Sequence, residues 1–122
     1  HAMVFLASSQ EHSWSVKVMA PMLKASEAHL SKVMQRLSTA GFVSSERGPK
    51  GGFVLLRKAE DIKLVEIYEL FEGPIQNSGC MLGMEQCPLG GCKISKFLGK
   101  INKEVREYFS RTSLADIKVA GL

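Results

Sequence analysis

No run of apolar residues in this 122-residue chain approaches the ~18–20 that a membrane span needs. No secretion signal opens it either, so the chain is expected to be cytoplasmic and to engage no membrane. Cysteine is scarce and odd in number. The three, Cys80, Cys87 and Cys92, cannot close into a disulfide framework, so they read as a metal or redox site. Catalytic patterns are also missing. The three histidines stand apart at positions 1, 12 and 29, with no nucleophile–base pairing and no paired carboxylates. The loop Arg47-Gly-Pro-Lys-Gly-Gly52 lacks the spacing of a phosphate-binding Walker motif. An enzyme is therefore not expected. There is no internal repeat or low-complexity tract, and the length suits one domain rather than two.

What is present is a core-forming composition, 45% hydrophobic, and an uneven charge. The net charge is +4, but residues 1–58 hold eight Lys/Arg against three Asp/Glu, a balance of +5, while the remainder comes to −1. A polyanionic partner would meet the first half. His1-Ala2 ahead of Met3 reads as a cloning remnant.

Apolar Met3–Ala7 has the look of a helix end, and residues 8–15 form a polar linker holding the only tryptophan, Trp14. Residues 15–24 carry Val16, Met19, Ala20 and Leu23 at helical spacing. Pro21 interrupts them, predicting a kinked or late-starting helix. A second helix opens at the N-cap Ser26, runs through Leu30, Val33, Leu37 and Ala40, and stops at Gly41. Its outward face carries Glu27, Ala28, Ser31, Lys32, Gln35 and Arg36. Two extended runs, 42–46 and 52–56, flank the glycine-rich turn and predict a β-hairpin with Arg47 and Lys50 at its tip. A further helix is expected over 61–72, a non-periodic cysteine segment over 75–92, and a long amphipathic helix over 93–110.

Mainly helical, with one small hairpin, this order is that of a winged helix-turn-helix followed by a long C-terminal dimerisation helix. The expected divisions are 3–74 for the winged unit, 75–92 for the cysteine loop, and 93–117 for the dimerisation helix and tail. The second helix fits a major groove, and a glycine-rich hairpin lets Arg47 and Lys50 reach phosphates or the minor groove. Ser26 at the helix start would add the dipole. A charged helix face is ordinarily just a solvated one; the order of elements and the +5 half favour double-stranded DNA over a protein-interaction module. The stripe Ile94, Phe97, Leu98, Ile101, Val105, Tyr108 and Phe109 is too long and apolar for so small a domain, which predicts a homodimer.

The cysteines stand as C-x6-C-x4-C, unlike the C-x2-C pairs of structural zinc sites. Three soft thiolates in a loop with Gly79, Gly83, Gly90 and Gly91 suit an iron–sulfur cluster, of two or four irons, that aerobic purification would strip. Metal-free thiol–disulfide sensing and structural zinc are the alternatives. Three thiolates leave a fourth position, for which Glu85, His12 and an exogenous ligand are candidates.

Ser26-Glu-Ala-His-Leu30, Val33-Met34, Leu37, Ala40-Gly-Phe-Val43, Arg47-Gly48, Gly51-Gly-Phe53 and Ser113-Leu-Ala-Asp-Ile117 together resemble the Rrf family of bacterial winged-helix regulators. The likeness runs from residue 4 to about 117 and includes the cysteine segment. It implies a homodimeric transcription factor on a partly palindromic operator. Glu27, Ala28, His29, Ser31 and Lys32 would then face bases or backbone, Ser26 and Arg36 would support them, and Arg47 and Lys50 would be wing contacts. It also implies cluster ligation by Cys80, Cys87 and Cys92. His29 stands where the family commonly has tyrosine and Ser31 where many members have glutamate, so a relative's operator preference does not transfer. Ser95 replaces a histidine ligand found in some members. The family's first helix begins about a dozen residues earlier, so the first helix here is expected to lack its opening turns.

Overall fold

The computed structural model describes residues 1–76, 79–85, 87–88 and 90–120. In chain order its elements are α1 (Ala2–Ser8), α2 (Val16–Met22), α3 (Glu27–Thr39), β1 (Val43–Glu46), β2 (Gly52–Leu55), a 3-10 turn (Ala59–Asp61), α4 (Leu64–Glu72), α5 (Lys93–Arg111) and α6 (Leu114–Ile117). Contacts group them into two compact units, His1–Ile62 with Ser113–Leu122, and Lys63–Thr112. This grouping differs from the functional segments 3–74, 75–92 and 93–117, because α4 packs on α5 and α6 packs on α1 and the 3-10 turn. Among the described residues, no helix is long and apolar enough to cross a membrane.

The first unit is built around Leu6, Met19, Met34, Leu37, Val43, Ile62 and Leu114, all essentially removed from solvent. On α3 the buried row is Leu30, Met34 and Leu37, at i, i+4, i+7. The expected Val33 and Ala40 lie at its flank, half-buried and exposed. Ser26 caps α3, its Oγ accepting from the His29 N–H at 3.2 Å, and Gly41 closes it at φ +79°. Helix α2 starts where its serine permits: Ser15 Oγ accepts from the Val18 N–H at 3.3 Å. The proline therefore causes no late start. Pro21 falls in the last turn of a seven-residue helix, where it ends the element.

The helix-turn-helix corner is set by Lys24, at φ +52°. The Ala25 N–H donates to the Ala20 carbonyl at 2.9 Å and the Lys24 N–H to that of Pro21 at 3.2 Å. This is a Schellman-type close with lysine in the place usually given to glycine. Residues 8–15 are more than a linker. Trp14 exchanges two backbone hydrogen bonds with Phe53, at 3.1 and 2.9 Å, so β2 lies between β1 and Trp14. The indole stands edge-on to Phe5 at 5.1 Å and donates from Nε1 to the Ser9 carbonyl at 3.0 Å. At the other end of the chain, the Leu114 N–H donates to the Ile62 carbonyl at 2.8 Å. The Val119 N–H donates to Ser8 Oγ, also at 2.8 Å.

The second unit pairs α4 with α5. Tyr68 meets Phe109 edge-on at 5.6 Å, and Arg106 donates to the Ile75 carbonyl at 2.7 Å. Gly79 is buried so closely on α5 that a Cβ there would strike Ser95 and sit 2.5 Å from the Gly99 nitrogen. The expected helix over 61–72 begins only at Leu64, because residues 59–61 take a 3-10 turn. Of the stripe on α5, Leu98 (against Gly79), Val105 and Phe109 (against Tyr68) are half-buried. Ile94, Phe97, Ile101 and Tyr108 are exposed, Phe97 by 62%.

Gly52 is tightly confined by the backbone of the first unit. A Cβ at this position would collide with the Trp14 carbonyl carbon and lie 2.7 Å from the Trp14 and Ser15 nitrogens. Gly52→Ala must therefore displace backbone, at a cost of about 2 kcal/mol. Thermal unfolding followed by circular dichroism is expected to show a midpoint several degrees lower. A midpoint equal to that of the parent protein would contradict the Trp14–Phe53 pairing.

Candidate nucleic-acid interface

Helix α3 shows solvent one continuous polar face: Glu27, Ala28, His29, Ser31, Lys32 and Arg36 are all exposed, as is the capping Ser26. The burial of Leu30, Met34 and Leu37 leaves this face no other orientation. The capped N-terminus carries Glu27 in its first turn, and Arg36 lies in the last. Short side chains near the start of such a helix suit base edges in a major groove, and cations further along suit phosphates.

The wing lies in the same unit. β1 and β2 pair antiparallel, with Ser45 opposite Phe53 and Glu46 opposite Gly52. Its tip, residues 47–50, is exposed, and the Gly51 N–H closes it on the Gly48 carbonyl at 2.9 Å. Arg47 and Lys50 thus project from a short, tight turn. The glycines of this turn are expected to allow close approach of a partner. Two of them serve an internal purpose: Gly52 admits the Trp14 backbone, and a Cβ on Gly51 would strike the Glu46 carbonyl. Ser13 adds a contact from outside the hairpin. Its Oγ donates to the Lys50 carbonyl at 2.7 Å, fixing the tip from 37 residues away. No local pattern announces such a contact; a serine beside the lone tryptophan was the only signal.

The cysteine loop belongs to the second unit. Cys80, Cys87 and Cys92 are free thiols, each half-buried. Each begins a separate local structure. The Gly83 N–H returns to the Cys80 carbonyl and the Gly90 N–H to the Cys87 carbonyl, both at 3.1 Å. Cys92 is the N-cap residue of α5. Among the described residues, no three His, Cys, Asp or Glu side chains gather into a group able to hold a metal ion. The expected three-thiolate set is thus not assembled among the described residues, where two separate turns and the start of α5 hold the sulfurs. Glu85 is exposed in the same loop, and His12 lies beside Trp14 in the first unit, their rings 6.3 Å apart. Neither completes a ligand group.

A helix-turn-helix with a two-stranded wing, its polar helix face and wing cations in one unit, is the architecture of a DNA-binding transcriptional regulator. Comparison with known proteins agrees. The model of the Rrf2 family, described as iron-dependent transcriptional regulators, matches residues 1–119, and the chain belongs to this family. The structure of CymR, the global cysteine regulator of B. subtilis, is 29% identical with a TM-score of 0.79 over 95% of this chain and 86% of that one. IscR of T. potens is also 29% identical, with a TM-score of 0.74 over 95% of this chain and 77% of that one. An Aquifex aeolicus protein named as an HTH-type transcriptional regulator is 28% identical over 95% of this chain and 83% of its own length. Members of such a family are regulators, not enzymes.

The Ser13 hydrogen bond makes the wing's placement testable. Ser13→Ala frees the Lys50 carbonyl and should weaken binding to duplex DNA by about threefold, as expected for one neutral hydrogen bond. Ser13→Thr, which keeps the hydroxyl, should restore it. Fluorescence anisotropy with labelled duplex reads the effect; equal affinity for Ser13→Ala and the parent would show that Ser13 does not position the wing.

Proposed function

We propose that this chain is a homodimeric regulator that reads a double-stranded operator and adjusts that binding through its three thiols. The observation that carries the reading is the exposed polar face of α3 beside the Arg47–Lys50 wing, within the basic half of the chain. Glu27, Ala28, His29, Ser31 and Lys32 enter the major groove. Ser26 brings the start of α3 to a phosphate, where unpaired N–H groups and the dipole favour an anion. Arg36 lies one turn beyond, along the backbone. Arg47 and Lys50 reach the neighbouring phosphates or minor groove.

A dimer follows from α5. Ile94, Phe97, Ile101 and Tyr108 recur at intervals of three, four and seven residues on an exposed face, the pattern of a coiled-coil seam. A symmetric copy would cover them, with Leu98, Val105 and Phe109 filling the inner side of the same helix. Two copies place two reading heads on two half-sites, so the symmetry of the protein sets that of the operator.

The finer reading of the loop is an iron–sulfur cluster. Three soft thiolates fit such a group by donor chemistry, and the family description, iron-dependent regulator, supports it. Cys80, Cys87 and Cys92 would hold it after their turns reorganise. When bound, the group supplies iron that responds to redox state or to a small diatomic ligand. The second reading, in which the thiols respond without metal, is supported by the three free, half-buried cysteines themselves.

Two outcomes test these readings. Duplex binding should weaken steeply with salt, with two chains per operator duplex. Arg47→Ala should reduce the slope of log affinity against log salt by about 0.9, the value for one lost phosphate contact. No duplex binding even at low salt would instead favour a protein-interaction module. Anaerobic reconstitution with iron and sulfide should yield visible absorption and acid-labile sulfide, both lost in Cys87→Ala. A colourless, sulfide-free product would leave thiol chemistry as the sensing reaction.

A further inference from the structure

On the face of β2 turned away from α3, the first unit holds a cavity of ≈ 290 Å³ that neither the DNA-facing groups nor the thiols use. Its walls are the segment after α1 and the chain leaving β2. Strand alternation sets the second wall. Phe53 turns toward Ser31 and Gln35 of α3, so Val54 turns the other way, into the cavity. Val54 and the buried Leu6 of α1 make an apolar floor. Leu56 stands at the mouth, a large apolar side chain 60% exposed to solvent. The charge there is of one sign. Arg57 and Lys58 line the cavity beside His12, and no Asp or Glu does so among the described residues. Glu11, the acid of the facing segment, lines a neighbouring hollow with Ser8 and Lys118 instead. Arg57 is fixed in advance: it donates to the Asp61 carbonyl at 2.7 Å, and its guanidinium stands over the Phe42 ring at 5.5 Å.

We infer that this cavity binds a small monocarboxylate with an apolar tail, its carboxylate drawn to Arg57 and Lys58 and its tail laid against Leu56, Val54 and Leu6. Each part of the ligand answers one part of the lining. Cations with no carboxylate beside them in the lining favour an anion, and a flexible lysine next to a fixed guanidinium can close on it. An apolar floor and an exposed leucine favour carbon, because contact with it removes both from water. A free phosphate would leave that floor wet, and a neutral apolar molecule would desolvate the cations without pairing them. At the lower end of the ~300–1,000 Å³ usual for ligand pockets, the volume limits the guest to a small molecule. The inference also reaches the wing, and there it rests on the DNA reading above. Three consecutive residues make the link: His12 lines the cavity, Ser13 holds the Lys50 carbonyl, and Trp14 pairs with Phe53. A guest held between His12 and residues 54–58 restrains the segment that positions the wing tip, so it should tighten duplex binding, and DNA should tighten the guest in return.

Hexanoate is the probe, with 1-hexanol as its uncharged equivalent and phosphate as an anion without a tail. Trp14, the lone tryptophan, reports from beside His12, their rings 6.3 Å apart. Hexanoate should change its emission saturably, with one site per chain by calorimetry, and hexanol and phosphate should both bind more weakly. Lys58→Gln should weaken hexanoate by about threefold to tenfold, with Lys58→Arg near the parent. Leu56→Ala should weaken it by about threefold. Circular dichroism melts matching the parent's assign these losses to the site. In anisotropy at fixed ionic strength, saturating hexanoate should tighten a labelled duplex by about threefold in the parent. Ser13→Ala should still bind hexanoate but lose that effect on DNA. A response that does not saturate, or that is equal for hexanol, for phosphate or in Lys58→Gln, overturns the site. Hexanoate binding that leaves duplex affinity unchanged overturns its hold on the wing. A parent protein that binds no duplex at low salt overturns the DNA reading and that hold together, while saturable hexanoate binding still upholds the site.

Discussion

The wing is usable because one extended residue, Trp14, pairs with one strand residue, Phe53. Two hydrogen bonds, at 3.1 and 2.9 Å, make β2 the middle of three extended segments instead of the edge of a lone hairpin. An isolated two-stranded hairpin is marginal in water. Here β2 is held on both sides, and the indole of Trp14 packs on Phe5 of α1. Gly52 is the steric consequence, since any side chain there would occupy the Trp14 backbone. From this single pairing follow the placement of Phe53 on the wall beside α3 and the proximity of Ser13 to Lys50. The directions of Arg47 and Lys50 follow as well. Charge enters late: the basic residues occupy positions that a neutral framework has already fixed.

That order explains which parts of the molecule can be read along the chain. Ser26 and Gly41 announce the limits of α3, because capping chemistry acts over three or four residues and leaves a local mark. The wing tip is similarly plain in its glycines and proline. Lys24 is invisible by the same logic: the left-handed corner is forced by the Ala20–Ala25 closure, and nothing about lysine prefers it. Trp14 and Ser13 sit in a polar segment with no alternating pattern. Their partners lie some forty residues away, and one bridging residue is too short to create a period. Leu114 is hidden for the same reason, its burial being settled by Ile62 across half the chain. The stripe on α5 shows a further limit. Spacing identified seven apolar residues but could not divide them between α4 and the exposed face, a division that rests on where Tyr68 and Gly79 happen to lie.

The two compact units separate the chemistry. Every DNA-facing residue named lies in the first, and every thiol in the second. The first unit also carries most of the net charge, +3 (nine Lys/Arg against six Asp/Glu) of the total +4. Wide divergence in sequence around a conserved fold, as between this chain and its relatives at 29% identity, is compatible with that division.

The loop's anchoring determines where a reaction of the thiols would act. At its first end, Arg106 of α5 holds the Ile75 carbonyl, and Gly79 lies against Ser95 and Gly99 of the same helix. At its last end, Cys92 is the N-cap residue of α5. Cys80 and Cys92 are therefore both tied to α5, while Cys87 heads a turn between them. Drawing sulfurs together, all three by a metal group or two of them by a disulfide, would reshape the turns at Cys80 and Cys87 while both ends stay attached to one helix. The first turns of α5 receive that stress, and these carry Ile94 and Phe97 on the exposed face. In a dimer closed through this face, thiol chemistry would alter the pairing of the two copies before it altered any residue that touches DNA. Under the proposed dimer, control of this kind would change the spacing of two intact reading heads, which two half-sites on a rigid duplex are well suited to detect.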